Sequence, residues 1–177
     1  MRCVVVGASA AGISCAKTLR ELNKDVEITL ISKDEYVVSR CILHHYIEDV
    51  RSIDDLNFAP YDFFKVYGVK WIKGREVTKI DPKEHKLSLD NGEEVEYDKV
   101  CLATGSSSFI PPIENLREAK NVVGLRNLED AILIKDLLPN IKDVIVLGGG
   151  LVGIDAIAGL LKYDVKIHLV EMGDRIL

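Results

Sequence analysis

The sequence predicts an α/β fold in which two βαβ units carry parallel sheets, with a β-meander inserted in the first unit and the second unit truncated. Two observations predict this class. A glycine-rich turn follows an apolar stretch twice, at Gly7–Gly12 and at Gly148–Gly153, and a helical pattern follows each turn. Between the turns, short alternating segments on either side of Asn91-Gly92 have the pattern of antiparallel strands.

The first unit begins with a predicted strand at Arg2–Val6. The glycine turn comes next, followed by a helix from about Ala10 to Leu22 and by a strand over Val26–Ile31. A strand, a glycine turn, a helix and a second strand are the parts of a Rossmann-like unit with a parallel sheet. The sequence therefore predicts such a unit at the start of the chain.

The middle of the chain is less regular. Short helices are predicted near Cys41–Ile47 and over Tyr61–Tyr67, and Gly68 ends the second one. Short strands are predicted at Val69–Lys73, Val77–Ile80, Lys86–Leu89 and Glu94–Glu96. Because Asn91-Gly92 is a strong hairpin signal, these strands predict the inserted β-meander.

A further strand at Lys99–Ala103 is predicted to be buried. The clearest linker comes after it, where Ser106–Ser108 is followed by Pro111-Pro112. We therefore expect one domain over residues 1–110 and an incomplete second domain over residues 111–177.

The second unit repeats the pattern of the first. Its predicted elements are a helix at Asn127–Leu138, a strand at Asp143–Leu147, a helix at Leu151–Lys162 and a strand at Val165–Val170. Two parallel strands do not complete a doubly wound sheet. The expectation is that the chain is a fragment, or that a second chain or a missing C-terminal half completes the fold.

Composition excludes several classes of function. The chain has 177 residues, 47% of them hydrophobic, and a formal net charge of −5. Without a long basic block, no nucleic acid and no membrane is expected as a partner. The N-terminal apolar run is too short for a signal peptide or a membrane span, which predicts a cytoplasmic protein.

The second glycine turn has the full spacing of a dinucleotide-binding site. Its predicted cofactor-binding residues are Gly148, Gly150, Leu151, Val152 and Gly153. Glu171 ends the next strand, where a carboxylate accepts hydrogen bonds from ribose hydroxyls and repels a 2′-phosphate. This position favours NADH over NADPH, although Arg175 four residues later points the other way.

The first glycine turn departs from that pattern. Its predicted cofactor-binding residues are Gly7, Ser9, Ala10, Ala11 and Gly12, so that serine replaces the middle glycine. The Cβ of Ser9 crowds the phosphate path, but its hydroxyl can donate to the phosphate. Ser32, followed by Lys33, stands where an acid would hold the ribose, and a different form of ribose binding is expected there.

The remaining histidines and cysteines give weaker signals. His44 and His45 are adjacent, so on a helix they are expected to point in different directions, which disfavours joint metal binding. No metal site is predicted, because the four cysteines also lack a zinc-like spacing. Cys3, Cys15 and Cys101 fall in predicted strands and a helix, and we expect them to be inert.

The order of these motifs resembles the FAD- and NAD(P)H-dependent pyridine nucleotide-disulfide oxidoreductase superfamily. An N-terminal fingerprint is followed by the segment Tyr97–Gly105 and then by a second fingerprint, so that the resemblance covers all 177 residues. The loop Tyr36–Tyr46 resembles that of NADH oxidases, coenzyme A disulfide reductases, rubredoxin reductases and the flavin part of nitrite reductases.

The resemblance implies roles for particular residues. Ala103, Thr104 and Gly105 would return to the FAD, and Val77 would lie by its adenine. Cys41 would face the flavin in the oxidase and disulfide reductase branches, where Arg40 would lower its pKa; in the other branches the cysteine need not be redox active. Both interpretations of Cys41 stay open.

The resemblance also implies a function. NADH would pass a hydride to FAD, and the electrons would go on to a small molecule or a redox protein. Rubredoxin, oxygen, a disulfide and a nitrite-reducing centre are the alternatives for that acceptor. A truncated or partner-dependent dinucleotide-binding module without turnover of its own is one alternative to an active enzyme, and a flavin-free regulatory nucleotide sensor is another.

Overall fold

The computed structural model describes residues 1–177. The strands are β1 (Arg2–Val6), β2 (Glu27–Ser32), β3 (Val69–Lys73), β4 (Val77–Asp81), β5 (Lys86–Leu89), β6 (Glu94–Glu96), β7 (Lys99–Leu102), β8 (Asp143–Leu147) and β9 (Lys166–Val170). The helices are α1 (Ala10–Leu22), α2 (Leu43–Ile47), α3 (Phe63–Val66), α4 (Leu128–Leu137) and α5 (Leu151–Leu160). The α/β class, the parallel sheets and the β-meander are as predicted.

The chain divides into two compact units. The first unit contains residues 1–38 and 57–106, and the second contains residues 39–56 and 107–177. The predicted assignment of 1–110 and 111–177 to two cofactor domains stays a prediction. The structural units differ from it because residues 39–56 group with the later part of the chain.

A four-stranded parallel sheet in the order β3-β2-β1-β7 is the centre of the first unit. Strand β1 is apolar from Cys3 to Val6, because both of its faces are covered there. Cys3 and Val5 pack into the cluster that α1 contributes to, whereas Val4 and Val6 pack into the cluster that the meander contributes to. The alternation of strand side chains thus gives the unit two apolar layers.

The meander consists of β4, β5 and β6, all antiparallel. Asn91-Gly92 lies in its second hairpin, as predicted. Gly92 N–H donates to Leu89 O at 3.0 Å, and Gly92 has a φ of +84°. A three-residue loop of this kind needs a left-handed residue at its end, which explains the glycine.

The second unit contains a two-stranded parallel sheet of β8 and β9, with α5 between them in the chain. Helix α2 contacts both α4 and α5. Leu43, Ile47 and Leu56 are buried in this unit, as are Leu128 and Leu160. Residues 39–56 are therefore an integral part of its core.

Two predictions about the elements need correction. The predicted buried strand at Lys99–Ala103 ends at Leu102 and lies at the edge of its sheet, where the Leu102 side chain is 57% exposed. Cys101 is accordingly half-buried, whereas Cys3 is buried. The helix predicted over Tyr61–Tyr67 is shorter, because Phe63–Val66 alone is helical and Tyr61 is exposed.

Helix α4 ends at Leu137 and α5 ends at Leu160, both before Lys162. No helix of the structure combines the length and apolarity that crossing a lipid bilayer requires.

Candidate functional site

The second glycine turn connects β8 to α5 and has a defined hydrogen-bond pattern. Gly148 N–H donates to Val170 O at 2.8 Å, and Ile154 N–H donates to Gly150 O at 3.0 Å, which is the first bond of the helix. Gly148 has a φ of +105°, a conformation that side chains with a Cβ rarely adopt. The turn therefore requires glycine at its first position.

The other two glycines have different steric surroundings. A Cβ at Gly153 would lie 2.0 Å from Gly148 O, so the helix can approach the strand this closely only without a side chain. At Gly150, no heavy atom lies within 4 Å of the Cβ position. These are the roles that a dinucleotide site gives to its glycines: a tight turn, open space for the pyrophosphate, and close packing of helix on strand.

The N-terminus of α5 is available to bind an anion. Gly150 is its N-cap residue and provides no capping side chain. Leu151 and Val152 are 72% and 58% exposed. The first N–H groups of a helix have no partner within the helix and lie at its positive end. They are therefore suited to hold a phosphate.

Glu171 lies directly beside this turn. Its Oε2 accepts a hydrogen bond from Gly149 N–H at 2.6 Å, and its Oε1 accepts one from Gly173 N–H at 2.7 Å. These backbone hydrogen bonds lower the pKa of Glu171 and keep it ionised. A carboxylate has about four acceptor sites, so Glu171 can still accept hydrogen bonds from ribose hydroxyls.

Residues that follow Glu171 return to the turn, which the sequence pattern did not indicate. A Cβ at Gly149 would lie 2.5 Å from Ile176 Cγ2, and Leu177 N–H donates to Gly149 O at 3.2 Å. Gly149 is consequently buried, while Gly150 stays exposed.

The first glycine turn, between β1 and α1, has the same pattern. Gly7 N–H donates to Ile31 O at 2.7 Å, and Ile13 N–H donates to Ser9 O at 3.0 Å. A Cβ at Gly12 would lie 1.8 Å from Gly7 O. Ser9 is the N-cap residue of α1, but its side chain makes no capping hydrogen bond. The N–H groups at Ala10 and Ala11 thus begin the helix as Leu151 and Val152 do.

The end of β7 lies against this turn. A Cβ at Gly7 would lie 2.2 Å from Ala103 O, and Ala103 N–H donates to Val6 O at 2.8 Å. Thr104 and Gly105 follow as exposed residues. The structure therefore brings together Gly7 and Ala103, which are separated by most of the first unit in the sequence.

The hydroxyl of Ser32 already makes hydrogen bonds within the protein, unlike that of a free ribose-binding residue. Ser32 is buried, its hydroxyl donates to Asp34 O at 2.8 Å, and it accepts a hydrogen bond from Trp71 Nε1 at 2.9 Å. The Trp71 ring stacks on Phe64 with centroids 4.4 Å apart. The sequence contains no signal for this pair, because the hydrogen bond joins two strands.

Other residues near the end of β2 surround Ser32. Lys33 is exposed, and Arg75 N–H donates to Ser32 O at 3.0 Å. Val77 follows shortly after as the first residue of β4. Val77, the residue expected by the adenine, packs into the apolar cluster that contains Ile31 of β2.

Cys41 and Arg40 belong to the second unit, in a 3-10 turn over Arg40–Ile42. Cys41 is exposed and is a free thiol. The Cys15 side chain, in contrast, is partly buried in the first unit, and burial together with a hydrogen bond to Cys101 raises its pKa to about 11. A thiol of that kind is protonated at neutral pH and is a poor nucleophile.

The expectation that His44 and His45 point in different directions is wrong. Their ring centroids are 4.2 Å apart, and His45 Nδ1 pairs with Glu48. The ligand atoms of His44, His45 and Glu48 all lie within 4.8 Å of one another. Helix α2 packs against α4 and α5, and His44 Nδ1 lies 3.9 Å from Asp155 Oδ2 on α5.

Comparisons with known proteins agree with this geometry. The family described as pyridine nucleotide-disulphide oxidoreductase matches residues 1–177. The NADH oxidase of Methanocaldococcus jannaschii is 34% identical over 100% of this chain and 41% of that protein. The NADH-rubredoxin oxidoreductase of Clostridium acetobutylicum is 32% identical over 86% of this chain and 39% of that protein.

A solved structure has the same fold. The crystal structure of reduced CoADR-RHD from Bacillus anthracis matches with a TM-score of 0.89 and 29% identity, over 99% of this chain and 33% of that one. The chain thus spans less than half the length of the relatives it matches.

Proposed function

The chain belongs to the pyridine nucleotide-disulphide oxidoreductase family, and we propose that it is a flavoprotein module that moves electrons from NADH, through FAD, to an acceptor. One observation carries this proposal: two glycine turns have the same hydrogen-bond pattern, each between an apolar strand and a helix. Two dinucleotide sites in one chain suit the transfer of electrons between two cofactors.

NADH is assigned to the second turn. The support is the open space at Gly150, the uncapped start of α5 and the fixed carboxylate of Glu171. An ionised carboxylate at the ribose would repel the additional phosphate of NADPH. Glu171 would therefore set the preference for NADH, with Arg175 as the opposing charge.

FAD is assigned to the first turn. The residues present fit a dinucleotide, because a Cβ could not be accommodated at Gly7 or Gly12 and the start of α1 is uncapped. Gly7, Ala10, Ala11 and Gly12 would hold the pyrophosphate, with a hydrogen bond from the Ser9 hydroxyl. Because Ser32 is already paired with Trp71 and Asp34, the ribose contact would fall to neighbouring residues such as Lys33.

When bound, FAD supplies the redox chemistry, since it accepts a hydride from NADH and releases electrons to the acceptor. The chain contributes binding and orientation: the amides of the two helix starts hold the phosphates, and Ala103, Thr104 and Gly105 border the first site. Holding the two reacting groups in contact is itself a large part of catalysis.

Four cysteines without a disulfide fit a reducing compartment such as the cytoplasm.

The acceptor is the open part of the proposal. Among the relatives, one is named for rubredoxin and another is named an NADH oxidase. For this chain, rubredoxin, oxygen, a disulfide and a nitrite-reducing centre remain alternatives. Cys41 is exposed and would be the residue that a disulfide acceptor reacts with.

A second candidate is a dinucleotide-binding module without turnover of its own. The observation that favours it is the internal pairing of Ser32, which removes one polar contact from the FAD site. Weak retention of FAD would then leave NADH binding as the principal activity.

An anaerobic titration separates the two candidates. The protein is loaded with FAD, freed of excess cofactor and mixed with NADH while the flavin absorbance near 450 nm is followed. We expect retained flavin that NADH bleaches, faster than NADPH does. NADH binding without retained or bleachable flavin would support the binding module and contradict the oxidoreductase.

The same sample tests the role of Cys41. After bleaching, oxygen, 5,5′-dithiobis(2-nitrobenzoate) and rubredoxin are added separately to the wild type and to Cys41→Ser. If Cys41 mediates disulfide reduction, the substitution abolishes turnover with the disulfide and leaves bleaching by NADH unchanged. Equal turnover in both proteins eliminates the redox role.

A further inference from the structure

Residues 39–56, which include Cys41, belong to the second unit, although the residues on both sides belong to the first. The two ends of the segment lie side by side, because Ser39 N–H donates to Leu56 O at 2.8 Å. Its helix α2 has 5 residues, far fewer than an isolated helix needs in water. The segment therefore takes its conformation from what it contacts in the second unit.

The carboxylate of Asp49 is the centre of those contacts. It pairs with Lys135 on α4 and with Lys162 just after α5. Tyr163 donates to Ile47 O at 2.5 Å, and its hydroxyl lies 3.3 Å from Asp49 Oδ2. We refer to Asp49, Lys135, Lys162 and Tyr163 as the Asp49 cluster.

The two lysines of the cluster also bind the backbone of the segment. Lys162 Nζ donates to Glu48 O at 3.0 Å. Lys135 Nζ lies 3.4 Å from Tyr46 O and 4.4 Å from the centroid of the Tyr46 ring. Cations at the C-terminal end of a helix satisfy its last carbonyls and complement its dipole. The cluster therefore binds α2 through both side-chain and backbone groups.

The backbone at Asp49 has a left-handed conformation. Asp49 has a φ of +56° and follows the last turn of α2, the position at which helices usually have glycine. A residue with a Cβ costs about 1 kcal/mol or more there relative to glycine. Aspartate is one of the few residues with a Cβ that tolerate this conformation, and here its carboxylate also forms ion pairs with Lys135 and Lys162.

A glycine inside a helix is also found where α2 meets α5. Gly159 is in the last part of α5, where glycine is unfavourable by about 1 kcal/mol relative to alanine. A Cβ at Gly159 would lie 3.0 Å from His44 O and 3.3 Å from His44 Cα. The backbone of α2 thus lies directly on α5, and the Asp49 cluster fixes its end there.

We propose that Asp49 is a positioning residue, which anchors the segment that carries Cys41 to the helices of the second unit through Lys135 and Lys162. Because α5 begins at the second glycine turn and ends at this anchor, the turn and the segment are held by one helix. The anchoring is independent of the proposed function, whereas its consequence for electron transfer rests on it.

Hydrogen exchange of the full chain tests the anchor without any cofactor. Asp49→Asn keeps the shape and the tolerance of left-handed backbone but removes the charge. Asp49→Gly removes the carboxylate and relieves the backbone. Asp136→Asn, an exposed aspartate on α4, is the control for the loss of one negative charge.

We expect the amides of residues 43–50 to exchange at least threefold faster in both Asp49 variants than in the wild type or Asp136→Asn. The double variant Lys135→Met/Lys162→Met, which removes the partner charges instead, should have the same effect. If Asp49→Gly exchanges as slowly as the wild type, the residue only ends the helix and the anchor is refuted.

A kinetic measurement tests the consequence for electron transfer. In flavin-loaded protein, bleaching by NADH should be equal in Asp49→Asn and Asp136→Asn, while turnover with 5,5′-dithiobis(2-nitrobenzoate) should fall at least threefold in Asp49→Asn alone. A general loss of structure would lower both rates. A wild type that NADH does not bleach contradicts the proposed function, and the exchange result still decides the anchor.

Discussion

Gly150 and Gly153 lie three positions apart, and their surroundings predict different losses of stability for the same substitution. Gly150→Ala places a methyl group in open space where the pyrophosphate would approach, so NADH affinity should fall at least tenfold, at a stability cost of about 0.5–1 kcal/mol for the altered N-cap. Calorimetric titration with NADH and a chemical denaturation curve measure the two effects.

Gly153→Ala serves as the comparison. Its Cβ would meet Gly148 O at 2.0 Å, so the turn has to shift and stability should fall by about 1–3 kcal/mol together with NADH affinity. Equal stability of the two variants would mean that the turn does not have the conformation described above.

Ser32 gives a second prediction at this scale. Ser32→Ala leaves the Trp71 indole N–H without its acceptor, which should destabilise the first unit by about 1–3 kcal/mol and change the fluorescence of the single tryptophan. Trp71→Phe removes the other partner. In a double-mutant cycle the two substitutions should be clearly non-additive; additive effects would show that the hydrogen bond is unimportant.

The glycine residues of both turns could be predicted from the sequence, because their spacing reflects local backbone geometry. The pairing of Ser32 with Trp71 could not, since it depends on the register of β2 against β3. The same holds for the hydrogen bond from Gly149 to Glu171, which requires β8 and β9 to end side by side.

Among the elements, the β5–β6 hairpin permits a test of backbone conformation without steric contact. Nothing lies within 4 Å of the Cβ position at Gly92, and its φ is +84°. Gly92→Ala should therefore cost about 1 kcal/mol through the left-handed backbone alone, and Gly92→Asn should cost less. Urea denaturation compares them, and a neutral Gly92→Ala would contradict the assigned turn.

The helices and strands themselves were predictable where apolar residues form a short continuous run, as in β1, or repeat with a helical period, as in α1. Predictions failed where contacts with neighbouring elements determine the burial or the packing of an element. The exposure of β7 follows from its place at the edge of the sheet, and α2 packs against α4 and α5, where His44 lies beside Asp155. Neither the strand order nor these contacts can be derived from a period in the sequence.

For the whole molecule, acid should be destabilising. Hydrogen bonds to the carboxylates lower the pKa values of Asp49, Asp55, Asp81, Glu96, Asp98 and Glu171. A pKa that is lower in the folded state contributes stability above the unfolded value, near pH 4, and this stability is lost as the pH falls through the folded value. The urea midpoint should therefore stay nearly constant from pH 8 to 6 and decrease below about pH 4.5.

The measurement has an internal control. Asp49→Asn removes one of these groups, so its midpoint should decrease less between pH 5 and pH 3 than that of the wild type. A midpoint that rises on acidification in the wild type would contradict the pKa directions given above.

Residues 39–56 of the second unit lie in the sequence between two parts of the first unit, and this order matters for synthesis on the ribosome. Ile47 is buried against helices of the second unit, and Leu160 of α5 emerges 113 residues later (160 − 47). At about 5–20 residues per second this takes roughly 6 to 23 s. During that time Leu43, Ile47 and Leu56 have no finished partner surface, so these apolar side chains stay exposed in the nascent chain.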